Sequence, residues 1–386
     1  MIATITMPRL LYIGGGALAE VPTALARLGA ARPLIVTDRL MENSGILARL
    51  TDRLDNAGIA WRVFADTVPD PTSVVVEAGV RAMTEASYDC LIALGGGSPI
   101  DTAKAMSVLA ANGGHIRDYK VPADIPRLGL PVVAVPTTAG TGSEMTRFTV
   151  ITDSERDEKM LIMGLACCPA AAIVDYELTL SMPWRLSADT GLDSLTHAIE
   201  AYVSRKASPF TDGVAKTAMG LIARNIRGAC RNPDDRAARE AMMLGATQAG
   251  MAFSNASVCL VHGMSRPIGA FFHVPHGLSN AMLLPEITAF SAPAALARYA
   301  DCARAMGVCP EGEGNQGAVA RLLDELRQLN CDLEVPTPKA YGIDAGRYRE
   351  LMPIMASQAL ASGSPGNNPR IPTSDEIVAL YERVYG

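Results

Sequence analysis

A chain of 386 residues is longer than one hydrophobic core usually serves, so two domains are expected, and 49% hydrophobic against 19% charged residues leaves ample material for a buried interior. A formal charge of −6 with no basic block argues against a nucleic-acid surface. No apolar run is long enough to span a bilayer, and the opening Met-Ile-Ala-Thr-Ile-Thr-Met-Pro lacks the basic and apolar regions of a signal peptide, so the expectation is a cytoplasmic protein with neither membrane nor nucleic acid as partner.

In chain order, residues 10–13 read as a strand, 14–16 as a glycine turn and 17–28 as a helix; 33–38 is a buried strand ending in Asp38, and 44–57 has the apolar spacing of an amphipathic helix. The alternation continues with a strand at 61–64, a helix at 72–86, a strand at 89–94 and a helix at 98–111. A further strand at 131–135 runs into Pro-Thr-Thr-Ala-Gly-Thr-Gly-Ser-Glu, 136–144. This order implies a mainly parallel sheet covered on both faces, with ligands at the carboxyl ends of its strands.

Three strand ends carry chemistry. Gly95-Gly96-Gly97-Ser98-Pro99 would open a helix whose free N–H groups and positive dipole end suit a phosphate. Asp38 can accept from ribose hydroxyls and would repel a 2′-phosphate, which favours NAD over NADP; as a helix cap it would need no nucleotide. Thr137, Thr138, Thr141 and Ser143 offer hydroxyls among bare glycine backbone. The first turn, Gly14 to Gly16, lacks the third glycine of the Gly-x-Gly-x-x-Gly fingerprint, and a glycine cluster after a strand also serves as a plain tight turn.

Beyond residue 149 the pattern changes. Residues 148–152 and 159–163 read as two strands joined by a polar turn, and 170–175 as the last strand of the sheet. From Pro183 onward the period is helical. The expected division is a dinucleotide-binding α/β domain over 1–182 and an all-helical metal-binding and substrate domain over 183–386, with 362–370 as a loose loop before a final helix from Ser374. Eight cysteines without a Cys-x-x-Cys pair read as buried free thiols.

The helical half holds Asp193 and four of the five histidines: His197, His262, His273 and His276. Asp193 and His197 stand at i and i+4, on one face of a helix, and can point at one ion. One carboxylate and three imidazoles form an N/O set that suits Fe(II), Zn or Mn with room for a substrate oxygen. Spacing alone leaves a second reading open, in which Asp193 is a surface charge and the histidines are hydrogen-bonded core residues.

Three segments in order, Gly-Gly-Gly-Ser-Pro-Ile-Asp-Thr-Ala-Lys (95–104), Pro-Thr-Thr-Ala-Gly-Thr-Gly-Ser-Glu (136–144) and His-Gly-Met-Ser-Arg-Pro-Ile-Gly-Ala-Phe-Phe-His-Val-Pro-His-Gly (262–277), resemble the iron-containing, group III alcohol dehydrogenases. The resemblance implies an α/β dinucleotide-binding domain followed by an all-α domain, the dehydroquinate synthase-like architecture, with the active site in the cleft between them. It implies metal ligation by Asp193, His197, His262 and His276, normally of Fe(II) and sometimes of Zn. For the cofactor it implies Gly96, Gly97 and Ser98 at the pyrophosphate, with Asp101 from the same motif. Thr137, Thr138, Thr141, Phe148 and Lys159 would lie toward the phosphates and nicotinamide ribose, Asp38 at the adenosine ribose and Leu178 beside the adenine. The implied activity is hydride transfer between a small alcohol or hydroxy-aldehyde and nicotinamide, in a homodimer or larger homo-oligomer.

One position departs from the pattern. Many members carry a second histidine four residues after the ligand that His262 matches; here it is Arg266, which cannot act as a base at ordinary pH. His273 is the substitute expected for proton transfer, and Arg266 itself suggests an anionic substrate such as a semialdehyde or hydroxy acid, or else a pairing with a nearby carboxylate. Glycerol dehydrogenase and maleylacetate reductase, on related branches, lack this motif set or the full ligand quartet. A non-catalytic nucleotide-binding protein is the alternative of another class.

Overall fold

The computed structural model describes residues 2–156 and 158–386, which form two compact units: Thr4–Ser181, and Met182–Gly386 with residues 2–3. The N-terminal unit is built on β1 (Leu10–Ile13), β2 (Pro33–Val36), β3 (Arg62–Phe64), β4 (Cys90–Gly95) and β5 (Val132–Pro136), a separate antiparallel hairpin of β6 (Phe148–Asp153) and β7 (Glu158–Met163), and β8 (Ala171–Val174). Between them run α1 (Val21–Leu28), α2 (Arg39–Asn43), α3 (Ile46–Asn56), α4 (Ser73–Met83) and α5 (Gly97–Asn112).

The six-stranded sheet has the order β1-β8-β5-β4-β2-β3 with every neighbouring pair parallel. Its central strands are apolar on both faces because both faces are covered, and their alternate residues sort into two cores. Leu34, Val36, Leu91, Ala93, Val132 and Ala134 join Val76, Ile100 and Ala103 of α4 and α5. Ile35, Ile92, Leu94, Val133, Val135 and Ile173 join Val21, Leu25, Leu50 and Leu54 of α1 and α3. The chain leaves β2 outward to β3 but leaves β4 inward to β5, so β2 and β4 flank the switch point at which open α/β sheets bind ligands.

Two local differences from the sequence expectation have clear causes. The helix expected over 44–57 is α3, and a short helix not expected, α2, precedes it: the Asp38 carboxylate accepts from Met41 N at 3.0 Å and caps α2, and Gly45, at φ 78, separates the two. The stretch 362–370, rich in Gly, Pro and Asn, is anchored rather than loose. Asn367 and Asn368 are buried, the first bonded to Ser257 Oγ and Val258 O, the second to Ser291 Oγ and Arg370 O.

The second unit is helical: α6 (Trp184–Val203), α7 (Pro209–Arg231), α8 (Arg236–Ala256), α9 (Leu260–Phe272), α10 (His276–Ser291), α11 (Leu296–Met306), α12 (Asn315–Asp332), α13 (Ala345–Ala361) and α14 (Ser374–Tyr385). α6 is its central element, buried almost all round from Ser187 to Val203 and packed against α7, α8 and α10. All eight cysteines are free thiols; Cys331 is the exposed one. No helix among the described residues is long and apolar enough to cross a membrane.

Candidate metal centre and nucleotide-binding turns

Polar side chains appear in the middle of α6, where an apolar helix has no structural need of them. Asp193 and His197 lie one turn apart, 2% and 4% exposed, with His197 Nε2 at 3.9 Å from Asp193 Oδ1. α9 brings His262 Nε2 to 3.4 Å from the same oxygen, and the first residue of α10, His276, brings its Nε2 to 3.9 Å. The close approach of α10 depends on Gly277: a Cβ there would lie 2.3 Å from Asp189 O in the α6 backbone. Ligand atoms of Asp193, His262 and His276 all fall within 4.8 Å of one another. His197 is tied to the group through Asp193, its ring stacked between Phe253 at 4.1 Å and His262 at 4.4 Å. The His276 side chain is 45% exposed, so the cluster is walled by helices on one side and open on the other.

These spacings fit a metal ion. A tetrahedral ion with bonds of about 2.1 Å holds its ligand atoms about 3.4 Å apart. A second observation concerns Asn280, one turn after His276, whose Nδ2 sits 2.7 Å from Asp193 Oδ1, 3.2 Å from His262 Nε2 and 3.3 Å from His276 Nε2. Two amide hydrogens thus face three acceptors, while Asn280 Oδ1 is buried with no partner. A divalent cation answers that surplus of lone pairs. Burial by itself would raise the pKa of Asp193, but the imidazoles of His197, His276 and His262 outweigh it and hold the carboxyl below its ordinary range.

Of the other two candidates, His273 is exposed and caps α9 in a left-handed conformation, φ 54, and is not among the clustered ligand atoms. Arg266, one turn after His262 on α9, donates to Ser364 Oγ at 3.2 Å, a neutral oxygen rather than a carboxylate. Its side chain keeps some access to solvent, yet its surroundings are dense enough that burial lowers its pKa, with the charge of Glu200 opposing that shift. Glu200 and Asn280 were not legible as site residues, although each had a signal: Glu200 follows His197 by three positions, and Asn280 follows His276 by four.

In the N-terminal unit the turn after β4 is built for close approach. Gly95 has φ 145, and a Cβ there would lie 2.6 Å from Pro99 Cγ. Gly96 caps α5, whose first turn contains Gly97 and Ser98, all half-buried. Cβ atoms on Gly96 and Gly97 would reach 3.4 Å from Thr138 and 3.1 Å from Thr141, so the glycines and threonines face one another across a narrow space. Thr138 Oγ1 is buried there with no partner, the kind of orphaned hydroxyl that a bound phosphate or ribose satisfies.

The remaining expected cofactor residues are placed less uniformly. Asp38 is half-buried at the end of β2 and caps α2, and Thr37 ties that strand end to β4 through Leu94 O at 2.8 Å. Thr137 is buried, its N–H donating to Gly95 O. Asp101 is engaged within the protein, accepting from Ser143 Oγ at 2.6 Å and Val150 N at 2.9 Å. Beside it Lys104, fully buried, donates to oxygens of Ser143, Thr146 and Phe148, so that it holds the 136–148 segment against α5. Lys159 pairs with Asp70 at 2.7 Å, and Leu178 is 1% exposed in the core that packs beneath α1 and α3.

A parallel α/β unit with a glycine turn at its switch point, joined in one chain to a helical unit with a candidate N/O metal site, fits the class of nucleotide-linked, metal-dependent oxidoreductases. The chain belongs to the iron-containing alcohol dehydrogenase family: residues 8–176 match the family model for iron-containing alcohol dehydrogenase, and 187–385 that for the C-terminal part of the Fe-containing alcohol dehydrogenase family. It is 38% identical to lactaldehyde reductase of Escherichia coli (strain K12), over 97% of each chain. With the NAD-dependent methanol dehydrogenase of Bacillus methanolicus it shares 37% identity over 97% of this chain and 98% of that one. Among solved structures a 1,3-propanediol oxidoreductase superposes with a TM-score of 0.96 at 33% identity, covering 100% of both chains.

Proposed function

We propose that this protein is an NAD-linked, metal-dependent alcohol dehydrogenase and aldehyde reductase acting on a small alcohol or hydroxy-aldehyde, with Asp193, His197, His262 and His276 as the metal-binding set. The observation that carries the reading is the convergence of Asp193, His262 and His276 from three helices within 4.8 Å, with one side open at His276. A bound Fe(II) or Zn supplies Lewis acidity to a substrate oxygen, and NAD supplies the hydride acceptor.

The chain's own part is binding and placement. Asp193 would bring one negative charge to a divalent ion and the histidines neutral nitrogens, so the ligand set itself would leave the ion a net positive charge toward a substrate oxygen. Gly96, Gly97 and Ser98, at the N-terminus of α5, offer backbone N–H groups to a pyrophosphate, with Thr138 and Thr141 opposite. Asp38 at the neighbouring strand end accepts from ribose hydroxyls and repels a 2′-phosphate, which gives the preference for NAD. Holding donor and acceptor carbon in contact contributes several kcal/mol, about 7 or more in well-oriented systems. The same reading takes the protein to be a cytoplasmic homo-oligomer, on its likeness to the family.

The test is a panel of short alcohols with NAD, followed as NADH formation, on protein reconstituted with Fe(II) or with Zn. Metal-dependent turnover on at least one member is expected. A protein that binds NAD and metal but turns over no member of the panel refutes the assignment.

A second substrate reading rests on Arg266. Arg266, one helical turn after His262, donates to a neutral hydroxyl, which leaves a guanidinium able to receive a carboxylate, as in a semialdehyde or hydroxy acid. Under it Arg266→Ala lowers kcat/KM on a carboxylated aldehyde about 10-fold or more while sparing an uncharged aldehyde of equal length. An equal loss on both removes the reading. Proton transfer through the exposed His273 is tested in the same way by the pH profile of His273→Gln, which stays unchanged if that residue plays no part.

A further inference from the structure

A carboxylate stands behind the metal centre, on the side away from Asp193. Glu200 lies on α6 two turns after Asp193 and is 3% exposed. Its Oε2 is 2.6 Å from His262 Nδ1 and also accepts from Cys259 N at 2.9 Å; its Oε1 accepts from Val261 N at 2.6 Å. One buried side chain therefore grips the first turn of α9 by its backbone and its only histidine by the ring.

We propose that Glu200 is the positioning residue of the metal centre: it fixes the His262 tautomer and ring orientation so that Nε2 presents a lone pair toward Asp193 and His276. An ionised carboxylate is acceptor-only, and both oxygens of Glu200 already accept from backbone N–H groups. The ring nitrogen facing it must then carry the hydrogen, and the opposite nitrogen, 3.4 Å from Asp193 Oδ1, is left as the acceptor a metal requires. The backbone bonds to Cys259 and Val261 hold the carboxylate against α9, so the ring cannot turn without losing its partner. The hydrogen bond also raises the basicity of the ligating nitrogen. A plain helix-capping role accounts for the two backbone bonds and leaves the third, to the ring, unexplained.

The inference rests on the reading of this cluster as the metal site, and the experiment separates the two. Full-length wild type and Glu200→Gln are loaded with Zn(II) or Co(II), and metal retention is measured against a competing chelator. In the metal-free proteins, at an alkaline pH at which the ring is neutral, the imidazole 15N shifts of His262 are read, assigned by their loss in His262→Gln. Gln keeps the size of the side chain but offers an amide on one of its two sides, which can donate to the ring and turn its hydrogen to Nε2.

Wild type is expected to hold metal and to show the Nδ1–H form. Glu200→Gln is expected to hold metal about 10- to 100-fold more weakly and to populate the Nε2–H form. A folded Glu200→Gln that retains metal within about threefold of wild type, with the Nδ1–H form intact, makes Glu200 a helix cap only and overturns the proposal. Should Glu200→Gln not fold, Glu200→Asp, which keeps the charge but withdraws it by one methylene, is read against the same two outcomes. A wild type that binds no metal overturns the metal-site reading instead.

Discussion

Gly277→Ala tests the claim that backbone approach, not ligand identity alone, assembles the metal centre. A methyl group at 277 would lie 2.3 Å from Asp189 O, 2.8 Å from Asp189 C and 3.3 Å from Asp193 Cβ. Two of these contacts are to main chain inside α6, which cannot rotate away. Non-bonded carbon atoms rest at roughly 3.5 Å, so the first turn of α10 must retreat by about 1 Å. His276 is the residue before 277 and moves with it, from 3.9 Å to roughly 5 Å from Asp193 Oδ1, whereas a tetrahedral ion needs about 3.4 Å between ligand atoms. The expected result is a folded protein destabilised by about 1–3 kcal/mol, with metal content well below that of wild type and kcat/KM down about 100-fold, the cost of a misplacement of that size. Metal analysis after gel filtration and steady-state NADH formation measure the two effects. Full metal content with kcat/KM within about twofold of wild type would show that the helix pair has slack to give, and would refute the reasoning.

Three further outcomes follow from the same structure. Gly213 lies inside α7 with no heavy atom within 4 Å of the point where an added methyl group would sit, so Gly213→Ala should raise stability by about 0.5–1 kcal/mol in urea unfolding and leave activity unchanged. Lys104→Met removes the cation that five oxygens of Ser143, Thr146 and Phe148 surround, leaving buried acceptors and Asp101 without it; a loss of about 3–5 kcal/mol is expected in thermal or urea unfolding. Burial pushes the Cys167 thiol up to about 12, so at pH 8 it carries almost no thiolate. Alkylation of native protein at that pH, followed by peptide mapping, should therefore mark the exposed Cys331 and spare Cys167, and labelling of Cys167 at a comparable rate would contradict its burial.

Much of the N-terminal unit is legible from the sequence because strand and helix leave different periods, and because glycine and proline mark turns by backbone sterics alone. The β4 turn is the clearest case: Gly95 at φ 145 and Pro99 in the first turn of α5 are local requirements that the chain states in its own order. The anchored stretch around Asn367 was not legible in the same way. A buried asparagine is chosen by partners distant in sequence, here Ser257 and Val258.

The metal centre divides along the same line. The sequence by itself determined which side chains could bind a metal and that Asp193 and His197 share a helix face, since helical pitch follows from spacing alone. Only the tertiary structure decided that α9 and α10 converge on that face. It also decided that Asn280 sits among the ligand atoms, that Glu200 stands behind His262, and that Arg266 meets a neutral hydroxyl. The reason is physical: the contacts that build the centre reach across as many as 87 residues, between Asp193 and Asn280, and they are set by how closely helices pack. That depends on a missing methyl at Gly277, whose effect appears only when the opposing backbone of α6 is in place.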